Sequence, residues 1–433
     1  MSVKPLNFTI ERMARTLPLR TVLAISCVLQ IMGAVGLVGY LSWRNGEKAV
    51  KDLANQLMHK VSNRILQSLE YYTATPDAIN RINTNAIRLG QLNLQDSQSL
   101  ERHLWHQIQV FDSVSYIQFA TEQREFVGIA RLDNGEFTLT ISGQSTNNFY
   151  TIYALDSQGN RTNLLKRTPN YDPRLRPWYT APIKQGKSAW TEIYTYFDFS
   201  TLAITEGLPL YNPQGQLLGV TAVDLSLSQI RDFLRTLEVG NGGKTFIVER
   251  NGMLVASSTA EQPFIKENAQ PKRLAAINSK EPLIRATTKY LQQKYSDLND
   301  IQDRLDLKID IEGQRHWVEI TPFSERFGLD WLIVVVIPES DFMAQIHANT
   351  RTTIFLCLGA LALSIVLSIF IARWISKPIL RLSQASRQIA NGELDRQVEV
   401  EGANELRVLA QSFNQMAEQL RFSFTALEKI NGT

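Results

Sequence analysis

Two uncharged stretches interrupt an otherwise mixed pattern of apolar and polar positions. Residues 21–43 carry no charge and are closed off by Arg20 and Arg44; residues 352–372 carry none and are closed off by Arg351 and Arg373. As helices rising about 1.5 Å per residue, each is roughly 30 to 35 Å long, enough for a bilayer core of about 30 Å. Buried core helices rarely stay uncharged for so long, so both read as membrane spans. The competing reading of the first is a cleaved signal peptide. Its apolar run exceeds the roughly 7–15 residues of a signal core, and no small-x-small cleavage site precedes the next helical pattern.

Between the spans the period changes twice. Val50, Leu53, Leu57, Val61, Ile65 and Leu69 recur every three or four residues, which continues the first span as a long helix. A second helix is expected over residues 97–110. From Ser113 onward the runs are short and β-rich: 116–119, 126–130, 137–141, 151–155, 192–196, 202–208 and 217–225. Turn residues separate them, among them Asp133-Asn134-Gly135, Asp156-Ser157-Gln158-Gly159 and Asn212-Pro213-Gln214-Gly215. A helix over 227–237 closes this unit. A smaller one follows, with strands at 245–249 and 254–257 around Arg250-Asn251-Gly252, a polar and largely helical stretch over 265–306, and strands at 308–311, 317–322 and 331–337. The repeated strand–glycine turn–strand pattern is compatible with an internal duplication.

Past the second span the pattern is helical again. Ile379, Leu382, Ala385 and Ile389 form one narrow stripe; Leu406, Leu409, Phe413, Met416 and Leu420 form another, and Phe424, Leu427 and Ile430 extend it. Pro378 suits the start of a new helix. The segment between the stripes holds Gly392, Leu394, Val398 and Val400, more apolar residues than a simple loop needs. About a dozen residues at roughly 3.3 Å each are enough to run back along the first helix, so a parallel pair is feasible. So narrow a seam is buried only in a dimer.

Charge adds the orientation. Lys4, Arg12, Arg15 and Arg20 precede the first span against only Glu11; Arg373, Lys377, Arg381 and Arg387 follow the second with no acid before Glu393. By the positive-inside rule both termini are cytoplasmic and residues 44–351 lie outside. Across all 433 residues, 45 Lys and Arg balance 42 Asp and Glu, and 44% of positions are hydrophobic. That excludes a disordered chain and a strongly basic nucleic-acid binder. The two cysteines, Cys27 and Cys357, lie in the spans, so the outer part must be stable without disulfides.

The order helix, two sheet units, two flanking spans resembles the double Cache family of bacterial extracytoplasmic sensors. The residues that carry the resemblance are Tyr171-Asp172-Pro173-Arg174-Leu175-Arg176-Pro177-Trp178-Tyr179 and, later, Val223-Asp224-Leu225. Residues 375–421 resemble a HAMP linker through Pro378, the Gly392-x-Leu394 connector and Asn404-Glu405-Leu406. The resemblance implies an α+β protein: two Cache (PAS-like) units on a long N-terminal helix, then a parallel helical HAMP coiled coil. The expected domains are a tail (1–20), a span (21–43), the sensor (44–351, with a membrane-distal unit over about 110–240 and a membrane-proximal one over about 241–340), a span (352–372) and the HAMP linker (375–425). The cytoplasmic membrane of a bacterium is the implied location.

The Arg-x-Trp-Tyr core with a later Asp matches the Cache subgroup that binds amino acids in its membrane-distal unit. Such a ligand offers a carboxylate beside an ammonium. Arg176 supplies the planar fork for the carboxylate, with the Trp178 indole N–H and the Tyr171 hydroxyl as further donors; Asp224 takes the ammonium and Tyr179 adds an acceptor. On an extended chain Arg176 and Trp178 would face the same side. Tyr194 fits the pattern, but Tyr196 stands where the family implies an Asp. Asp198, two residues on, either substitutes or sits in a turn, which opens the amine half of the specificity. A purely structural reading of the same residues has Arg176 paired with Asp224 and the aromatics as ordinary core.

Other motifs carry less. Gly240-Asn241-Gly242-Gly243-Lys244-Thr245 ends like a phosphate-binding loop, but Glu238 replaces its first glycine. His103 and His106 have helical spacing without an evident third metal ligand. Ser257-Ser258 lacks a nucleophile-elbow context, and the acid-rich 297–310 lacks a calcium-loop pattern. No cofactor or metal is implied. No phospho-acceptor histidine follows the linker, the last being His347, so no catalytic domain is expected. The reading is a receptor homodimer in a lipid bilayer. It takes a small amino acid or carboxylate ligand and signals through a separate cytoplasmic protein; the alternative is the input half of a histidine kinase or nucleotide cyclase.

Overall fold

The structure is a computed structural model and describes residues 18–197, 202–267, 270–295, 297–391, 393, 397–399 and 403–431. Asp198, Gly392, Leu394, Val400 and residues 1–17 of the N-terminal tail lie outside the described residues. The chain divides into two compact units, one of residues 50–343 and one of residues 1–49 with 344–433.

Within residues 50–343, helix α1 (Leu19–Arg88) supplies the backbone of the unit. Its buried positions Ala54, Met58, Val61, Ile65 and Leu69 keep the three-or-four spacing of a helix with one apolar face. It continues through Pro76, well past the end of the apolar repeat. Helix α2 (Ser97–Val110) starts where Asp96 accepts a hydrogen bond from the Ser99 N–H at 3.1 Å.

The first sheet follows as β1 (Tyr116–Thr121), β2 (Phe126–Arg131), β3 (Phe137–Ser142), β4 (Tyr150–Leu155) and β5 (Arg161–Thr168). Helix α3 (Pro177–Gln185) then precedes β6 (Ala189–Trp190), β7 (Tyr194–Thr195), β8 (Leu202–Tyr211) and β9 (Leu217–Ser226). The strand order is β5-β4-β3-β2-β1-β9-β8-β6, with β7 also on β8, and every pairing is antiparallel. Helix α4 (Leu227–Arg235) is capped by the Ser226 hydroxyl.

The second sheet takes β10 (Lys244–Glu249) and β11 (Leu254–Ser257). A separate hairpin, β12 (Phe264–Glu267) with β13 (Gln270–Arg273), and helix α5 (Pro282–Lys294) come next. Strands β14 (Leu305–Ile311), β15 (Gln314–Ser324) and β16 (Asp330–Pro338) complete the order β11-β10-β16-β15-β14. Alternation along the strands gives each sheet two faces. One face of both sheets shares a core with α1, through Ile117, Ile129, Leu139, Ile204 and Val223 of the first and Trp317, Ile333 and Val335 of the second. The other faces belong to separate clusters.

The expected strands and hairpin turns are present; Gly135, Gly159, Gly215 and Gly252 all take positive φ in their turns. Three expectations for this unit are corrected. Strand β5 is absent from the sequence reading, because its side chains are nearly all exposed and polar and show no apolar alternation. The stretch 265–306 is only partly helical: it opens on the β12–β13 hairpin and, among the described residues, holds one α-helix of 13 residues and two short 3-10 turns. Residues 177–179 are the first turn of α3, not extended chain, with Pro177 at the position where a missing N–H costs nothing.

In the other unit, the N-terminal part of α1 and helix α6 (Ser340–Ala390) hold the two apolar windows, of mean hydropathy 2.2 and 2.8, almost none of whose surface is buried. Both are long and apolar enough to cross a membrane. Pro378 lies inside α6 and does not start a new helix. Helix α7 (Asn404–Asn431) follows; its Asn414 side chain bonds both the N–H (2.9 Å) and the carbonyl (3.0 Å) of Val398. Val398 thereby joins Leu382, Ala385, Ala410 and Phe413 in a small apolar cluster.

Candidate functional site

The face of the first sheet turned away from α1 is aromatic. Tyr116, Phe126, Tyr150, Tyr171, Trp178 and Tyr179 are buried there, with Tyr194, Tyr196 and Phe197 packed on them. Several of the rings meet tilted, as between Tyr150 and Tyr171 at 4.6 Å and Tyr171 and Phe197 at 4.9 Å, while Phe126 stacks on Tyr150 at 5.9 Å. Two glycines make room. A Cβ at Gly128 would fall 2.7 Å from the Tyr116 ring, and one at Gly207 would fall 2.7 Å from the Trp178 carbonyl. Neither position tolerates a larger residue without moving a pocket wall.

Asp224 sits in this aromatic layer, on β9 opposite Tyr116 of β1 and Thr205 of β8. It is 0% exposed. The Gln118 amide donates to Oδ1 at 2.9 Å, while buried Oδ2 has no hydrogen-bond partner. Burial pushes the Asp224 carboxyl up to about 7; the Thr205 and Tyr196 hydroxyls, the Gln118 amide and the Arg176 charge draw it back down. Burial likewise raises the phenols of Tyr116, Tyr171, Tyr194 and Tyr196 well above their ordinary value.

Arg176 is the residue just before α3 and is half-buried. Its Nη2 donates to the Thr195 carbonyl at 2.8 Å, and its guanidinium lies 5.6 Å from the Tyr194 ring and 5.7 Å from the Phe197 ring. Among the described residues no carboxylate is within ion-pair distance of it. The expected alternative, a direct Arg176–Asp224 pair, is therefore not formed. The two groups lie in the same aromatic layer, hereafter the chamber, and stay apart: a cationic fork, and a buried carboxyl whose Oδ2 has no hydrogen-bond partner among the described residues. An anion and a cation on one small molecule match that arrangement.

Of the residues singled out from sequence, Tyr171, Arg176, Trp178, Tyr194, Tyr196 and Asp224 come together here. Tyr171 lies against the Trp178 side chain and in the field of both Arg176 and Asp224. Tyr194 donates to or accepts from the Thr205 hydroxyl at 2.8 Å. Tyr196 places its phenol beside Asp224 and Ser115, where the family pattern would place an acid. Tyr179 is turned elsewhere: its phenol, raised to about 12 by burial, faces Glu122, Arg174 and Asp172. Arg174 pairs with Asp172 at 2.9 Å, as does Arg124. Gln118 and Thr205 escaped the sequence reading. Strand alternation is their signal: Gln118 lies two positions from Tyr116, which stands opposite Asp224, and Thr205 is itself opposite Asp224.

The chain belongs to the Cache-domain family: the Cache domain matches residues 46–346 and a HAMP domain matches residues 370–422. Its curated relatives are bacterial methyl-accepting chemotaxis proteins. PctB of Pseudomonas aeruginosa is 25% identical over 267 residues, which are 61% of this chain and 38% of that protein. PscA of Pseudomonas syringae pv. tomato is 24% identical over 344 residues, 77% of this chain and 49% of that protein. The chain thus spans less than half the length of these relatives. Among solved structures, one of a methyl-accepting chemotaxis protein X aligns over 67% of this chain and 98% of its own, with 18% identity and a TM-score of 0.45. Neither matched domain is catalytic.

Proposed function

We propose that the chain is the sensing and transmitting part of a bacterial membrane receptor. The first sheet unit binds a small extracellular amino acid or related carboxylate in the Arg176–Asp224 chamber. The observation that carries this reading is a pair of opposite groups held apart in one aromatic chamber: among the described residues, Arg176 has no carboxylate partner and Asp224 Oδ2 has no donor. A structural ion pair would have joined them, and an inert core would have excluded both.

The flanking arginines and lysines support a cytoplasmic location for both ends of the chain, with residues 44–351 outside. The working form is a homodimer, supported by Leu409, Met416 and Leu420, which stay exposed along α7 in the single chain. Ligand shifts the dimer between two arrangements only by its differential affinity for them. α6 carries that shift to the HAMP linker, and a cytoplasmic signalling partner or a further segment of the protein supplies the output. The relatives favour chemotaxis over an attached kinase or cyclase.

The test is a thermal-shift panel on the chain in lipid nanodiscs, with the proteinogenic amino acids and their deaminated carboxylate analogues. At least one compound should raise the melting temperature by several degrees in the parent and by none in Arg176→Ala. A panel without any hit, on folded protein, would reject this ligand class.

A further inference from the structure

The strand that lines the chamber also grips the long helix. Along β8, Thr205 faces the chamber, holding Tyr194 and lying opposite Asp224. The next residue, Glu206, faces α1 and is fully buried. There Asn80 of α1 donates to the Glu206 backbone carbonyl at 2.9 Å and to its carboxyl oxygen Oε2. Asn80 Oδ1 in turn accepts from the Thr221 hydroxyl of β9 at 3.0 Å, three residues before Asp224. One buried amide therefore ties the helix to β8 and β9, the strands that carry Thr205 and Asp224.

The surrounding seam is aliphatic, with Leu69, Ile79, Ile204 and Val223 in its core. Filling this place with apolar residues would be the more stabilising choice, because buried polar groups cost more to desolvate than they return. What directional hydrogen bonds add is register: an apolar seam can slide or roll, whereas a polar lock fixes one alignment. We infer that Asn80 and Glu206, with Thr221, form the lock through which a change in the chamber strands is passed to α1. The inference rests on the receptor reading above, and both residues act as positioning groups that touch no ligand.

Charged groups near the lock are Asp77 and Arg81 of α1 and Glu325 and Arg326 of the turn between β15 and β16. Burial, with Asp77 and Glu325 adding to it, pushes Glu206 up to about 8, which favours the neutral carboxyl beside Asn80. Glutamine is its isostere, and that supplies the control.

The experiment is hydrogen–deuterium exchange on the full chain in nanodiscs, with and without an equimolar mixture of the proteinogenic L-amino acids. The parent and Glu206→Gln should show slowed exchange both around residues 171–196 and along residues 70–88. Asn80→Leu should keep the first effect within three-fold and lose at least five-fold of the second. Thr221→Val, which removes a single hydroxyl, should fold and lose part of the second. Full transmission in Asn80→Leu and Thr221→Val overturns the lock, as does loss of both effects in Glu206→Gln. If the mixture leaves residues 171–196 unchanged in the parent, the amino-acid reading fails while the lock is still tested by Asp224→Asn. That chamber substitution should alter exchange along 70–88 in the parent background and not with Asn80→Leu; equal change in both backgrounds refutes the lock.

Discussion

Two antiparallel sheets lean on the same helix, and their outer faces have diverged. In the second, that face is closed by aliphatic and aromatic side chains: Phe246, Val248, Leu254, Ile284, Leu291, Ile309, Val318, Ile320, Leu332 and Val334. In the first, the equivalent face holds tyrosines, Trp178, Gln118, Thr205 and the buried Asp224. Burying these groups stabilises less than burying Val or Ile of similar volume, so the first unit gives up stability where it gains chemistry. The inner faces differ as well. Each sheet presents one fully buried glutamate to α1, Glu206 and Glu319. Glu206 is held by the amide of Asn80; Glu319 is held by half-exposed His59, with Arg304 at 3.8 Å. The first contact is sealed from solvent and the second is open to it.

That contrast breaks most sharply at Arg176. Arg176→Ala should lower ligand affinity by at least 100-fold while changing the melting temperature by under about 2 °C, since the side chain is half-buried and anchors one carbonyl. Its counterpart in the second unit is Ile320→Ala, a fully buried truncation that should cost about 3 kcal/mol in urea unfolding and leave affinity within two-fold.

Next in size is pH. The carboxyls of Asp224 and Glu206 hold their protons in the folded state up to about 7 and about 8, against 3.8 and 4.5 when unfolded. Between those values the folded chain binds more protons than the unfolded one, so stability falls as pH rises from about 4 to 8, by an upper bound of about 4 kcal/mol per group. Chemical denaturation at pH 5 and pH 8 measures the fall. Asp224→Asn should reduce it, and a substitution confined to the second unit should not. A smaller effect is expected at Gly128→Ala, which pushes on the Tyr116 ring and should weaken ligand binding a few-fold in fluorescence titrations.

Much of this was legible in the sequence because the signals were local. The spans, α2, most strands and their glycine turns follow from period and composition. The chamber is legible only as residue types, Tyr171, Arg176, Trp178, Tyr194, Tyr196 and Asp224; the extended chain expected at Arg176 and Trp178 is in fact a cap and a helix begun by Pro177. Tyr179 was misplaced for the same reason, because helical rotation turns it toward Arg174 and Asp172. β5 and the β12–β13 hairpin left no apolar alternation to read. The Asn80–Glu206 contact joins residues 126 positions apart and has no local signature.

The central claim is that Arg176 and Asp224 take opposite charges of one ligand. Isothermal titration of the strongest amino-acid hit at pH 8 and pH 6, on the chain in nanodiscs, tests it most directly. An ammonium held by Asp224 must displace the proton that the empty site keeps below about pH 7. The account predicts proton release on binding at pH 6, an affinity about ten-fold weaker there than at pH 8, and loss of that pH dependence in Asp224→Asn. Binding with equal affinity at both pH values and no proton release would contradict it.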